Sequence, residues 1–206
     1  MNDGLMGFDP TLFCGLIAAG LSVCAFVPYI KNTLYNCTRP HKASWLIWTV
    51  LASISLASQI QEGAEVSLGF AGAQWAGTLA VFVLSVKKGY GTYLTLQDVG
   101  VLIAAATGIA LWFVTDSAVY ALLISITVSS LGGLITIRKA YAAPKSETKA
   151  TWSMSLVASL FAIVSVGALD WILLAYPLYL LALNSGILLA MHLSSARKIT
   201  TVYAAE

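Results

Sequence analysis

Two amide side chains, Gln74 and Asn184, stand inside long apolar stretches of this 206-residue chain. Polar groups in such a setting are costly unless they pair or line a watery space, so they mark where chemistry can occur. Gln74 lies thirteen residues before Lys87, and Asn184 lies thirteen before Arg197. An amide offers donors and an acceptor together, which suits a neutral hydroxylated or amide-bearing solute better than an ion. The alternative is that each amide bonds a neighbouring helix as packing glue. Trp75 adjoins Gln74 and can either stack on a planar ligand or pack against lipid. Ser55, Ser58 and Gln59 share one helical face, as do Ser155 and Ser159, which gives two modestly polar walls. Most such serines bond their own helix backbone, so this signal is weaker than the amides.

Other chemistries find no support in the residue pattern. No nucleophile has a base at motif spacing and no Gly-rich phosphate loop occurs, so an enzyme is not expected. His41 and His192 lack carboxylate or Cys partners at ligand spacing, and Cys14, Cys24 and Cys37 form no paired set. Neither a metal nor another cofactor is expected. No Asp, Glu, Lys, Arg or His falls in the central part of an apolar stretch, which favours a passive facilitator over a proton- or ion-coupled carrier.

The elements that must position these residues follow from composition. The chain is 59% hydrophobic and 10% charged, against about a quarter charged in an average soluble domain. A membrane-spanning helix needs about 20 apolar residues, because its backbone must satisfy its own hydrogen bonds once water is gone. Seven stretches meet that demand: Thr11 to Ile30, Ala43 to Ile60, Val66 to Val86, Val99 to Val114, Ser117 to Ile137, Thr151 to Leu169, and Trp171 to Leu193. The expected fold class is therefore all-α, a polytopic membrane protein whose primary partner is the lipid bilayer. Too little sequence remains outside the spans for a soluble catalytic domain or a nucleic-acid module. The first ten residues carry Asp3 and Asp9 and no basic residue, unlike a cleaved secretory signal, so the first span is expected to be retained.

Charge fixes the expected orientation. With the N-terminus outside, all eleven basic residues fall on the cytoplasmic side. Lys31, Arg39 and Lys42 follow the first span; Lys87 and Lys88 the third; Arg138, Lys139, Lys145 and Lys149 the fifth; Arg197 and Lys198 the seventh. Short loops rich in Lys and Arg stay inside, and an even number of spans would spoil this sorting. The C-terminus is then cytoplasmic.

The chain also resembles itself. Placing Trp45 over Trp152 aligns Lys31 with Arg138 and Ser44 with Thr151, and from the other end Lys87-Lys88 matches Arg197-Lys198. That second alignment makes Gln74 and Asn184 equivalent. Spans one to three (residues 1–90) thus match spans five to seven (116–206), with the fourth (91–115) as a linker that restores the orientation of the second copy. Parallel repeats of this kind, three plus one plus three, are a transporter architecture. Smaller signals sit within this frame. Gly69, Ala73 and Gly77 recur every fourth residue and invite close helix approach. Pro177 lies seven residues before Asn184, where it can kink the last span and free a carbonyl, a candidate hinge. Trp45, Trp48 and Trp152 are expected in an aromatic belt at the inner interface.

On the helix plan, the outside N-terminus and Pro28 near the inner end of the first span, the chain resembles the SWEET and SemiSWEET sugar transporters and their PQ-loop relatives. The family commonly has Gln after that proline; this chain has Tyr29, with Ile135-Thr136 at the repeat position, and its second and sixth spans carry no proline. Trp45-Leu46-Ile47-Trp48 is also similar to the Trp-x-x-Trp element of nicotinamide riboside transporters. The resemblance implies Pro28 as a gating or hinge position beside the candidate hinge at Pro177, and Gln74 with Asn184 at the substrate-contacting amide pair. The expected function is a facilitator for a small neutral metabolite, such as a sugar or vitamin precursor, working by alternating access. The competing expectation is a non-transporting subunit, as a homo-oligomer or within a larger membrane complex.

Overall fold

A computed structural model describes residues 9–89 and 118–203, together with six separate positions between them. Six helices run through the two long segments: α1 (Pro10–Leu34), α2 (Lys42–Gln61), α3 (Leu68–Lys88), α4 (Ala118–Ala142), α5 (Lys149–Ser165) and α6 (Trp171–Tyr203). A single 3₁₀ turn, Pro144–Ser146, joins α4 to α5. Among the described residues there is no β-strand. The expected fourth span, Val99 to Val114, lies largely outside the described residues; Val99, Ile103, Ala106, Thr107, Ala110 and Val114 are helical.

Five of the helices are long and apolar enough to cross a membrane: α1, α2, α3, Leu122–Ala142 of α4, and Trp171–Ser194 of α6. The chain is thus built as a multi-pass membrane protein. The fifth helix is shorter than the stretch Thr151 to Leu169 led us to expect, ending at Ser165. Gly167 then turns the chain at a φ of 70°, in the left-handed region that glycine tolerates. At 17 residues α5 is about 26 Å long, a little under the thickness of a hydrocarbon core.

The helix ends explain several of the charged residues. Asp9 caps α1 by accepting from the Thr11 and Leu12 amides at 2.9 and 3.4 Å, and Asp170 Oδ1 caps α6 by accepting from Ile172 and Leu173 at 2.9 and 3.0 Å. A carboxylate there satisfies donors that have no partner in the helix. The Thr11 hydroxyl and amide hold the Asp9 carboxyl below the usual carboxylate range. At an opposite kind of end, Lys88 donates to the Leu34 carbonyl at 2.8 Å, so a cation closes the C-terminus of α1.

The six helices close into a ring in the order α1, α3, α2, α4, α6, α5, back to α1. Exchanging α1, α2 and α3 for α4, α5 and α6 maps these principal neighbours onto themselves. Within each group of three the last helix sits between the first two. Close approach of α1 and α3 depends on the small-residue spacing: a β-carbon at Gly77 would collide with the Phe26 ring, and one at Gly69 would touch Ala19 at 3.4 Å. Pro28 lies inside α1 and Pro177 inside α6, and both helices run on through them.

Candidate functional site

Between the helices of the ring lies a partly open chamber of about 40 Å³. Six aromatic residues line it: Phe26, Trp45, Trp48, Trp152, Tyr176 and Tyr179. Leu51, Leu180 and Leu183 complete the apolar wall, and Gln74, Thr78, Thr151, Ser155 and Asn184 supply polar groups. No charged side chain is among these residues.

The amides converge on this chamber from α3 and α6. Gln74 is 4% exposed, and its side-chain amide has no hydrogen-bond partner among the described residues. Asn184 is 2% exposed and donates weakly to the Ser159 hydroxyl at 3.4 Å. Ser159 in turn donates to the Ser155 carbonyl at 2.7 Å, so it positions Asn184 from outside the chamber. The Thr151 hydroxyl, the Trp48 indole N–H and the Tyr179 hydroxyl are buried without a hydrogen-bond partner, and all three residues line the chamber. Tyr179 lies beside Trp48 and Ser129 without a well-formed hydrogen bond to either. Leaving such a group unsatisfied costs about 1 to 3 kcal/mol.

Other polar residues singled out in the sequence lie elsewhere. Ser55 accepts from Gln59 at 3.4 Å, and Gln59 accepts from Ser67 at 3.1 Å, so that face of α2 binds the turn leading to α3. Ser58 is buried outside the chamber, and its hydroxyl has no partner. Trp75 points away, 37% exposed, with its indole donating to Ser53 at 3.0 Å. Its α3 neighbour Gln74 faces inward because successive helix residues project about 100° apart.

The aromatic belt expected of Trp45, Trp48 and Trp152 is not what forms. These residues are only 4%, 6% and 5% exposed, and they pack on one another rather than toward lipid. Trp45 and Trp48 meet edge to face at 5.1 Å between ring centres, Trp48 and Trp152 at 6.2 Å, and Tyr29 bridges Trp45 at 4.9 Å and Trp152 at 6.0 Å. The sequence contained a signal for this: Trp45 and Trp48 are three apart, on one face of α2, and the repeat alignment puts Trp152 opposite Trp45. It places Ser155 opposite Trp48 as well. Three pairs of residues matched by the expected repeat alignment, Trp45/Trp152, Trp48/Ser155 and Gln74/Asn184, line one chamber.

Beyond the aromatic layer lies a carboxylate that the sequence analysis passed over. Glu147 is 7% exposed; it pairs with Lys139 at 2.6 Å through Oε1 and accepts from the Trp152 indole at 3.1 Å through Oε2. Burial pushes its carboxyl above the usual Glu range, while Lys139, Trp152 and Tyr29 pull it back. The folded chain thus holds this proton more tightly than the unfolded one, and Glu147 contributes stability that is lost as pH rises through the raised value. Glu147→Gln should flatten the dependence of melting temperature on pH as pH rises above the ordinary Glu range. An unchanged profile would show that another group governs it.

The chain matches no family model, no curated protein and no solved structure.

Proposed function

We propose that this chain is a seven-helix facilitator for a small neutral polar metabolite, built as two parallel three-helix repeats around the chamber and joined by a fourth, linker span. The observation that carries the proposal is the chamber itself, lined from both halves by repeat-equivalent residues and holding polar groups with no protein partner. A neutral ligand fits because the lining has amides, hydroxyls and aromatic faces but no charge. Similarity of this plan to the SWEET and PQ-loop transporters supports the same reading.

Size argues for movement. A dry cavity of about 150 Å³ takes up benzene, whereas about 40 Å³ holds roughly two or three water molecules. A loaded chamber is therefore wider than this one, and two symmetric halves meeting around a central site can widen it by rocking. The sorting of the basic residues supports an outside N-terminus. A reporter at Gly63 should accordingly be labelled from the outside and one at Gly89 from the cytoplasm. Labelling of both from one side would sink the orientation.

Flux through the purified protein in proteoliposomes tests the function. Neutral metabolites should be presented down a gradient, with and without a protonophore. One chemical class should cross with saturable kinetics that the protonophore leaves unchanged. If every solute crosses as in protein-free liposomes, the subunit reading replaces this one.

A further inference from the structure

Hydrogen bonds between the two halves gather at one end of the bundle. Asn32 on α1 donates to the Thr148 hydroxyl at 3.1 Å, and Thr38 shares a 2.8 Å hydrogen bond with the same group. Ser44 at the start of α2 donates to the Gly132 carbonyl at 3.3 Å. Lys139 donates at 2.8 Å to the carbonyl of Arg39, across the boundary, and ion-pairs with Glu147 in its own half. Asn32 and Lys139 are equivalent in the repeat, so the two halves reach into each other's loop from matched positions. At the other end the halves meet through packing: a β-carbon at Gly167 would come within 2.9 Å of the Thr11 methyl.

The polar end is also the end at which the aromatic layer lies. Trp152 lines the chamber, touches Trp48 and Tyr29, and is held by the Glu147 carboxylate through its indole N–H. One side chain, Glu147, therefore links the chamber wall to the cation that crosses between the halves. We propose that Lys139 and Glu147 form a latch holding the cytoplasmic end of the bundle shut, with Glu147 as the positioning residue that pins the Trp152 indole across the chamber. The latch belongs to one repeat only, because Pro40 stands at the position equivalent to Glu147. Its asymmetry biases two otherwise similar halves toward closure on the cytoplasmic side.

Such a latch can open. Removing two charges from water offsets most of their attraction, so a buried ion pair adds specificity of arrangement more than net stability. The raised Glu147 carboxyl is the sign of that offset. Removal of one partner, in contrast, leaves the other without its ion pair and selects against the closed arrangement.

The latch rests on the alternating-access reading in that it is something that opens, and the test separates the two. A reporter cysteine replaces Ser155 in a chain whose Cys14, Cys24 and Cys37 are serine. A small membrane-impermeant cationic thiol reagent is then applied to right-side-out and to inside-out vesicles. With the latch intact, reaction from the cytoplasmic face should be slow. Glu147→Gln should speed it about ten-fold from that face alone. Trp152→Phe, which keeps an aromatic ring of smaller size and deletes the indole N–H, should give a smaller increase on the same side and carries the test if Glu147→Gln does not fold. Unchanged cytoplasmic rates in both variants, or equal increases from both faces, would overturn the latch while leaving the transport reading intact. Failure to react from either face in every variant would overturn both.

Discussion

Replacement of Gln74 by Leu should cut transport roughly five-fold to a hundred-fold while the protein stays folded. The reason is an asymmetry in what the amide does with and without ligand. Its side chain makes no hydrogen bond within the described protein, so the empty chamber loses nothing when the amide goes. A bound polar ligand, in contrast, would be left with an unpaired group in an apolar enclosure, at a cost of about 1 to 3 kcal/mol. That cost read as rate gives the stated range. Asn184→Leu should lower transport similarly and also lose about 0.6 kcal/mol of stability, because Asn184 bonds Ser159. If both amides hold one ligand, the double variant should fall short of the product of the single losses. Initial uptake rate per folded molecule and melting temperature in detergent measure the two effects separately. Full uptake with lowered stability would instead make the amides packing glue and favour the subunit reading.

Trp45→Ala should be the most destabilising single substitution among the residues discussed, costing about 3 kcal/mol. Trp45 is 4% exposed and touches three other rings, Phe26 at 6.4 Å, Tyr29 at 4.9 Å and Trp48 at 5.1 Å. Truncating a buried aromatic loses its contacts and leaves a cavity, typically at about 3 to 5 kcal/mol. The lower end applies because the unfolded reference in a bilayer is itself apolar, so the transfer part is small. For a chain of this size that corresponds to a fall in melting temperature of roughly 10 °C. Trp75→Ala is the control. Its ring is 37% exposed and donates one hydrogen bond to Ser53, so its loss should move stability by about 0.5 kcal/mol or less. Similar falls for both would mean that Trp45 is not in a packed aromatic layer.

Much of this protein was determined by the sequence alone. Its apolar stretches identify helices because a bilayer admits few other backbones, and α1, α2, α3, α4 and α6 cover five of the expected spans, with ends shifted by a few residues except that α6 runs on to Tyr203. The glycine spacing in α3 already contained the close approach of α1, since only a missing β-carbon lets Phe26 lie over Gly77. Matched spacing from Gln74 and Asn184 to their basic pairs was enough to make them candidates for one site, and both line one chamber.

Tertiary structure alone decided which way side chains turn and what they meet. Trp75 and Gln74 are adjacent in one apolar helix, yet one faces out and the other in. A tryptophan near a helix end satisfies lipid headgroups and a packed core alike, so only the ring closure of six helices could put Trp45, Trp48 and Trp152 in the interior. Glu147 shows the limit most plainly. In the sequence it is one acid in a short basic loop, and its burial depends on Lys139 one helical turn before the end of α4 and Trp152 at the start of α5 converging on it. Local pattern carries the periodicity of each helix, but a contact between elements depends on how they are folded back on one another.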